Sequence, residues 1–364
     1  MPLPAVAPDQ YASLLQAKCA RVSSLLEPHC PPAPEIFPSD PLAYRMRAEF
    51  RMWHTDEHLD YVMFDPVDPK TPVPVKAFPI ASARIQSLMP PLCDALRKNE
   101  VLRKKLFQVE FLSALTGQTL VTLVYHRPLQ GDWEDEAQVL ASHLDVSIVG
   151  RSRRQKIVIG QDFVQEVLPV HGRNFVYRQY EQSFTQPNAG VNIHMLEWAC
   201  RQASSCSGDL LELYCGNGNF TLPLSQYFDR VVATEVSKSS VRAAQENISA
   251  NSIENVEIVR LSAEEVTQAL RQERPFRRLA ALATPLHEYR LNTLFVDPPR
   301  AGLDEKTLTM AMGFETILYI SCNPETLQAN LASLCASHQI ASFALFDQFP
   351  YTEHMECGVL LCKK

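Results

Sequence analysis

The chain has 364 residues, 46% of them apolar, and a formal net charge of −7. Its length exceeds what one hydrophobic core usually serves, so two or three globular domains are expected. The net charge disfavours bulk attraction to nucleic acid, yet residues 40–190 hold 18 Lys+Arg against 18 Asp+Glu and the acidic excess lies beyond them.

The opening "MPLPAVAPDQ" has no basic start and no apolar stretch of leader length, and nowhere do eighteen apolar residues run together. A cytoplasmic protein with no membrane span is therefore expected. Ten cysteines are scattered with no Cys-x-x-Cys among them, which argues against a disulfide framework and against a metal or iron–sulfur site.

In chain order, residues 9–27 place Leu14, Leu15, Cys19, Val22, Leu25 and Leu26 near helical spacing, and prolines between 28 and 38 end that helix. From Tyr44 the period changes to two. Tyr44, Met46, Ala48, Phe50 and Met52 alternate with Arg45, Arg47, Glu49, Arg51 and Trp53, a strand with one face in a core and three arginines on the other. Further strands are predicted over 59–65, 105–115 and 119–127, the last two joined by a turn at Thr116-Gly117-Gln118. Helices are predicted over 86–106 and 134–144, and a pair of short strands over 147–160. Basic clusters fall at 97–105 and 151–156. This middle segment reads as a mixed, mainly antiparallel β domain with helices.

From about residue 190 strands and helices alternate, with strands predicted over 209–215, 230–236, 256–262, 292–298, 316–321, 340–349 and 357–364. That pattern defines a doubly wound α/β domain on a largely parallel sheet, closed by an antiparallel hairpin edge.

Chemistry-bearing residues gather at the predicted carboxyl ends of these strands. In "ELYCGNGNF" Gly216 and Gly218 allow a tight turn and close approach of a ligand, but no third glycine follows to cradle a pyrophosphate. Glu235 ends the next strand, where a carboxylate can accept both hydroxyls of a ribose. Adenosine without a pyrophosphate suits S-adenosylmethionine better than a dinucleotide. Asp297 ends the fourth strand in "FVDPPRAGL", with two prolines holding the following chain extended. Cys322 leaves the fifth strand in "LYISCNPETL", at the exit where a structural cysteine is not expected.

A thiol serves methyl transfer when the acceptor is an unreactive carbon. Carbon-5 of uracil becomes nucleophilic once a thiolate adds to carbon-6, and a base must then remove the carbon-5 proton. "YTEHMECGVLL" offers His354 and Glu356. Glu356 is preferred because an ordinary carboxylate is unprotonated at neutral pH, whereas an ordinary histidine is partly protonated.

At these residues the chain resembles the S-adenosylmethionine-dependent RNA uracil-5 methyltransferases, specifically the tRNA-modifying branch. The stretches "YRMRAEFRMWH", "SFTQPN", "LLELYCGNGNF", "FVDPPRAGL", "LYISCNPETL" and "ALFDQFPYTEHMECGVLL" bear the likeness over almost the whole chain. The resemblance implies a Rossmann-like methyltransferase domain over 181–364, an RNA-binding α+β domain over 40–180 and an amino-terminal helical segment over 1–39. It implies Cys322 as nucleophile and Glu356 as base, with donor contacts from Gln186, Tyr214, Asn219, Glu235 and Asp297. The implied substrate is the T-loop uridine of tRNA, with T-loop-like sites in other RNAs such as tmRNA alongside, handled by a monomer without metal.

Arg45, Arg47 and Arg51, aided by the two basic clusters, are expected to grip the RNA backbone. Two other readings compete: an rRNA uracil-5 methyltransferase, and an RNA-binding or folding protein with a vestigial methyltransferase domain. A cytosine-5 enzyme is disfavoured because the chain has no Pro-Cys pair.

Overall fold

The computed structural model describes residues 6–364 apart from 56, 57, 66, 67 and 69. The first five residues, part of the stretch inspected for a leader, lie outside the described part. Among the described residues no helix is long and apolar enough to cross a membrane.

The chain divides into two compact units. One comprises Asp40–Val167 and Arg178–Ala189 with the stretch up to Tyr11; the other comprises Ala12–Ser39, Leu168–Tyr177 and Gly190–Lys364.

The first unit is built on a seven-stranded sheet in the order Pro72–Pro74, Leu59–Phe64, Arg47–His54, Leu106–Ser113, Thr119–Tyr125, Ser147–Ser152, Gln155–Ile159. Every neighbouring pair is antiparallel except Thr119–Tyr125 with Ser147–Ser152, which the helix Gly131–Leu144 connects as a crossover. The alternation in the Arg47–His54 strand is real: Met46, Ala48, Phe50 and Met52 are buried while Glu49 and Arg51 are exposed. Trp133 is fully buried, and a Cβ on Gly150 would stand 2.3 Å from its ring. A ring wedged in a core cannot swing away as a flexible chain end would. Gly150→Ala is therefore expected to destabilise the protein by about 1–3 kcal/mol, measured as a lowered denaturant midpoint.

The second unit holds an eight-stranded sheet in the order Glu35–Phe37, His338–Phe346, Glu356–Lys363, Thr316–Ser321, Leu291–Val296, Asp209–Leu213, Val231–Thr234, Val256–Val259. All neighbours run parallel except Glu356–Lys363, which is antiparallel to both of its own. Strands such as Asp209–Leu213 are buried at every position, as a sheet covered on both faces requires. The doubly wound α/β class is thus the observed one. One correction concerns the sheet edge: the closing hairpin is not outermost, because Glu35–Phe37 pairs in parallel beyond His338–Phe346. Prolines flank that three-residue strand and conceal it, since its stability comes from partners some 300 residues away.

The helix Tyr11–Leu26 packs Cys19, Val22 and Leu26 into the core of this second unit, while Leu14 is exposed. A lysine, Lys18, shares the buried stripe. The sequence also conceals a two-stranded ribbon, Phe163–Val170 with Arg173–Tyr180, which turns at His171-Gly172 with both residues at positive φ.

Candidate active site

In the second unit, the strands Asp209–Leu213, Val231–Thr234, Leu291–Val296 and Thr316–Ser321 are parallel neighbours, so the loops at their carboxyl ends share one edge of the sheet. Tyr214, Gly216 and Gly218 all take positive φ in the turn after Asp209–Leu213. At Gly218, φ is +87° and a Cβ would stand 2.7 Å from Leu222, so this is a position where only glycine fits comfortably. Glu235 braces the turn. Its carboxylate accepts the Gly216 amide at 3.2 Å and the Ser237 amide at 2.7 Å.

Asn219 forms a reciprocal amide pair with the buried Asn192, both bonds at 2.9 Å, and its carbonyl accepts the Tyr177 hydroxyl. Its side chain is thereby held in place by the protein itself. Half-buried Tyr214 has a phenol pushed up to about 12, first by burial and then by Asp304.

The Ser321-Cys322-Asn323 turn follows from local hydrogen bonding. Asn323 caps the helix Pro324–Leu334 by accepting the Glu325 amide, and Ser321 and Asn323 bond to each other around the cysteine. Asn323 also donates to the carbonyl of Arg300, tying this turn to the Asp297 loop. Asn330, farther along the same helix, bonds both the amide and the carbonyl of Leu303 and accepts from Tyr319. Sequence reasoning missed both asparagines. Only the position of Asn323 directly before a proline, an N-cap pattern, could have pointed to either.

Strand register brings the remaining residue in. Ser321 pairs with Cys357 at the end of the antiparallel ladder, so Cys322 and Glu356 are the next residues beyond that pair, one on each strand. Glu356 is 4% exposed and its carboxyl is pushed up to about 8 by burial first and Asp297 second, with Arg300 opposing. Burial pushes Asp297 up to about 7. The Cys322 thiol is pushed up to about 11 by burial, then Glu356, then Asp297, while Arg300 pulls it down. The thiol feels both carboxylates and Glu356 feels Asp297, so the three lie near one another at this sheet edge.

Neither Glu356 nor His354 is an ordinary group, contrary to the expectation from free side chains. Burial raises the carboxyl, while burial and the cations Arg300 and Lys18 lower the imidazole of His354, so ordinary pKa values do not decide between them. By register, Glu356 is the residue that adjoins the Cys322 end of the ladder.

The donor set fits a cation. Glu212 is fully buried with its carboxyl pushed up to about 8, chiefly by burial, and among the described residues its Oε2 has no hydrogen-bond partner. Glu212 and Glu356 both feel Asp297, and beside these acids a sulfonium bearing an ammonium group would add to the positive charge of Arg300.

The other expected residues lie in the first unit. Gln186 sits in irregular backbone directly before Pro187, whose carbonyl accepts the Met46 amide. Arg45 and Arg47 are less accessible than the strand period suggests. Both are half-buried and have guanidinium pKa values lowered mainly by burial; Arg45 donates to the carbonyl of Arg47, and Arg47 to that of Ser183. Arg51 is exposed and lies 3.7 Å over the Phe107 ring, which stacks on His126 at 3.9 Å. Phe107 and His126 are functional candidates that sequence reasoning passed over.

A doubly wound sheet that gathers a Gly turn, a thiol and buried acids at the carboxyl ends of its strands fits a methyltransferase. Comparison with known proteins agrees with this class. The sequence profile described as tRNA (Uracil-5-)-methyltransferase matches residues 10–364, and the chain belongs to that family. It is 54% identical over its full length to the "tRNA/tmRNA (uracil-C(5))-methyltransferase" of Aromatoleum aromaticum, covering 98% of that protein. The Stutzerimonas stutzeri protein of the same description is 55% identical, with all of both chains covered. Among solved structures, the tRNA (uracil-54, C5)-methyltransferase of Pyrococcus abyssi in complex with S-adenosyl-L-homocysteine superposes with a TM-score of 0.75. It has 19% identity, with 99% of this chain and 86% of that one covered, a likeness of fold.

Proposed function

We propose that this protein methylates carbon-5 of the T-loop uridine of tRNA, and of T-loop-like sites such as that of tmRNA, with Cys322 as nucleophile and Glu356 as general base. The observation that supports this reading most directly is the ladder register that pairs Ser321 with Cys357. S-adenosylmethionine, when bound, supplies an electrophilic methyl group; Tyr214, Glu235 and Asp297 would hold it in the second unit. Asn219, held by its amide pair with Asn192, is a further donor contact in this reading.

Cys322 adds through Sγ to carbon-6 of the uracil ring, and the electron pair of the carbon-5–carbon-6 bond moves toward the carbon-4 carbonyl. Carbon-5 is then nucleophilic and would take the methyl group, the electron pair of the broken sulfur–methyl bond staying on the donor sulfur as a neutral thioether. Glu356 removes the proton left on carbon-5, the double bond re-forms, and the bond from carbon-6 to Sγ breaks to return the thiolate. Arg300, and any cation bound beside Asp297, favour the thiolate that starts the sequence.

The test uses tRNA carrying 5-fluorouridine with S-adenosylmethionine. Fluorine leaves no proton to abstract, so a stable protein–RNA adduct is expected, with peptide mass spectrometry placing it on Cys322. A chain that methylates ordinary tRNA but forms no adduct would overturn the covalent route.

The RNA-gripping role assigned to the arginine face now rests chiefly on Arg51, whose guanidinium and stacked ring partners present a surface suited to unstacked bases and phosphates. Arg51→Ala is expected to weaken tRNA binding and to reduce the slope of log affinity against log salt by about 1. Filter binding across a salt series measures both. Arg45→Ala and Arg47→Ala are expected to act on the stability of the first unit as well, since their bonds end on its backbone.

A further inference from the structure

Lys18 stands where the period of the helix Tyr11–Leu26 calls for an apolar residue, and it is 6% exposed. Its ammonium donates to Asp347 at 2.5 Å and to the carbonyl of Phe349 at 3.1 Å, and Asp347 is 1% exposed. One turn on, Arg21 donates to the carbonyl of Glu353 at 2.7 Å and to the Glu325 carboxylate at 3.1 Å. Asp347, Phe349 and Glu353 belong to the loop that ends on Glu356; Glu325 is in the first turn of the helix that starts two residues after Cys322.

The energetics of these contacts favour geometry over bulk stability. The Glu325 carboxylate is 61% exposed, so its pairing with Arg21 contributes little by itself. A buried ion pair such as Lys18–Asp347 is no more stabilising than a well-packed apolar pair, because both charges must be desolvated. What the pair supplies is direction. An ammonium between one carboxylate and one carbonyl fixes the height of the loop, and Arg21 pins its far end to the same helix.

Resting on the proposed function, we propose that the amino-terminal helix positions the catalytic base: Lys18 and Arg21 hold the loop 347–355 so that the Glu356 carboxyl meets the ring attached to Cys322. Both are positioning residues, acting through the loop.

The test compares the wild-type full chain with Lys18→Met, Lys18→Arg and Arg21→Ala, using ordinary tRNA and S-adenosylmethionine. A base displaced by about 1 Å is expected to lower kcat between roughly 10- and 100-fold, with KM for tRNA and donor little changed. Thiol addition and methylation would outrun proton removal. The Met and Ala variants are therefore expected to accumulate a methylated protein–tRNA adduct on ordinary uridine, seen as a retarded band on a denaturing gel, while Lys18→Arg restores most of the turnover. Arg21 is partly exposed and its loss leaves no buried charge unpaired, so Arg21→Ala decides the matter should Lys18→Met fail to fold. Unchanged kcat in a folded Arg21→Ala protein would overturn the proposal. So would a loss of kcat without adduct on ordinary tRNA and with equal loss of trapping by 5-fluorouridine. A wild-type chain that traps no 5-fluorouridine tRNA would instead sink the underlying function.

Discussion

Cys322→Ser is expected to reduce methylation by about a thousandfold or more while leaving the fold and both binding steps nearly intact. The reasoning begins with what the turn does not need. Its shape comes from Ser321, from the Asn323 cap and from the bond of Asn323 to the Arg300 carbonyl, none of which uses the sulfur. Serine occupies nearly the same volume, so thermal unfolding is expected at the wild-type temperature. Chemistry alone changes. A hydroxyl beside Glu356 and Asp297 is far harder to ionise than a thiol already pushed up to about 11. Single-turnover transfer of a labelled methyl group at saturating tRNA and donor measures the effect, and turnover retained within tenfold of wild type would refute covalent catalysis by this residue.

Glu356→Gln is expected to separate the two halves of the reaction. Addition by Cys322 and methylation continue, but with no base the carbon-5 proton stays and the thiolate is not expelled. Turnover should fall by roughly 10²–10⁴, with a methylated adduct accumulating on ordinary tRNA. In the wild type, kcat is expected to rise with pH as the Glu356 carboxyl, pushed up to about 8, loses its proton, and then to level off. The variant should lack that limb.

Stability provides a control of opposite sense. The folded pKa of Glu356 lies above its unfolded value, so its contribution to stability is fully present below about 4.5 and is lost as pH rises through about 8. A neutral glutamine has no such loss. The variant is thus expected to gain on the wild type in unfolding temperature from pH 5 to pH 8, which separates a catalytic defect from unfolding.

Residues that act through local motifs were readable from the sequence. The Gly turn, the Asp-Pro-Pro end of the fourth strand and the Ser-Cys-Asn-Pro exit of the fifth each announce a strand end within a few residues, and a doubly wound sheet then brings such ends to one edge. Non-local features were hidden. Glu35–Phe37 owes its existence to a partner near the opposite end of the chain, and Asn330 matters because it meets Leu303 rather than through any pattern around it. Strand alternation correctly separated the faces around Arg45 and Arg47. It could not show that Ser183 and neighbouring carboxylates close over them, since those come from other segments of the unit.

Glu356–Lys363 lies inside its sheet and not at a rim, running between Thr316–Ser321 and His338–Phe346. During synthesis every other strand of that sheet is made before it, so until it inserts the two earlier strands wait with a gap between them. The sulfur therefore exists in the nascent chain well before the acid proposed to complete its task. Because side chains alternate faces, threading one residue out of step would turn the acid away from that sulfur, and competence arrives only with correct closure of the last gap.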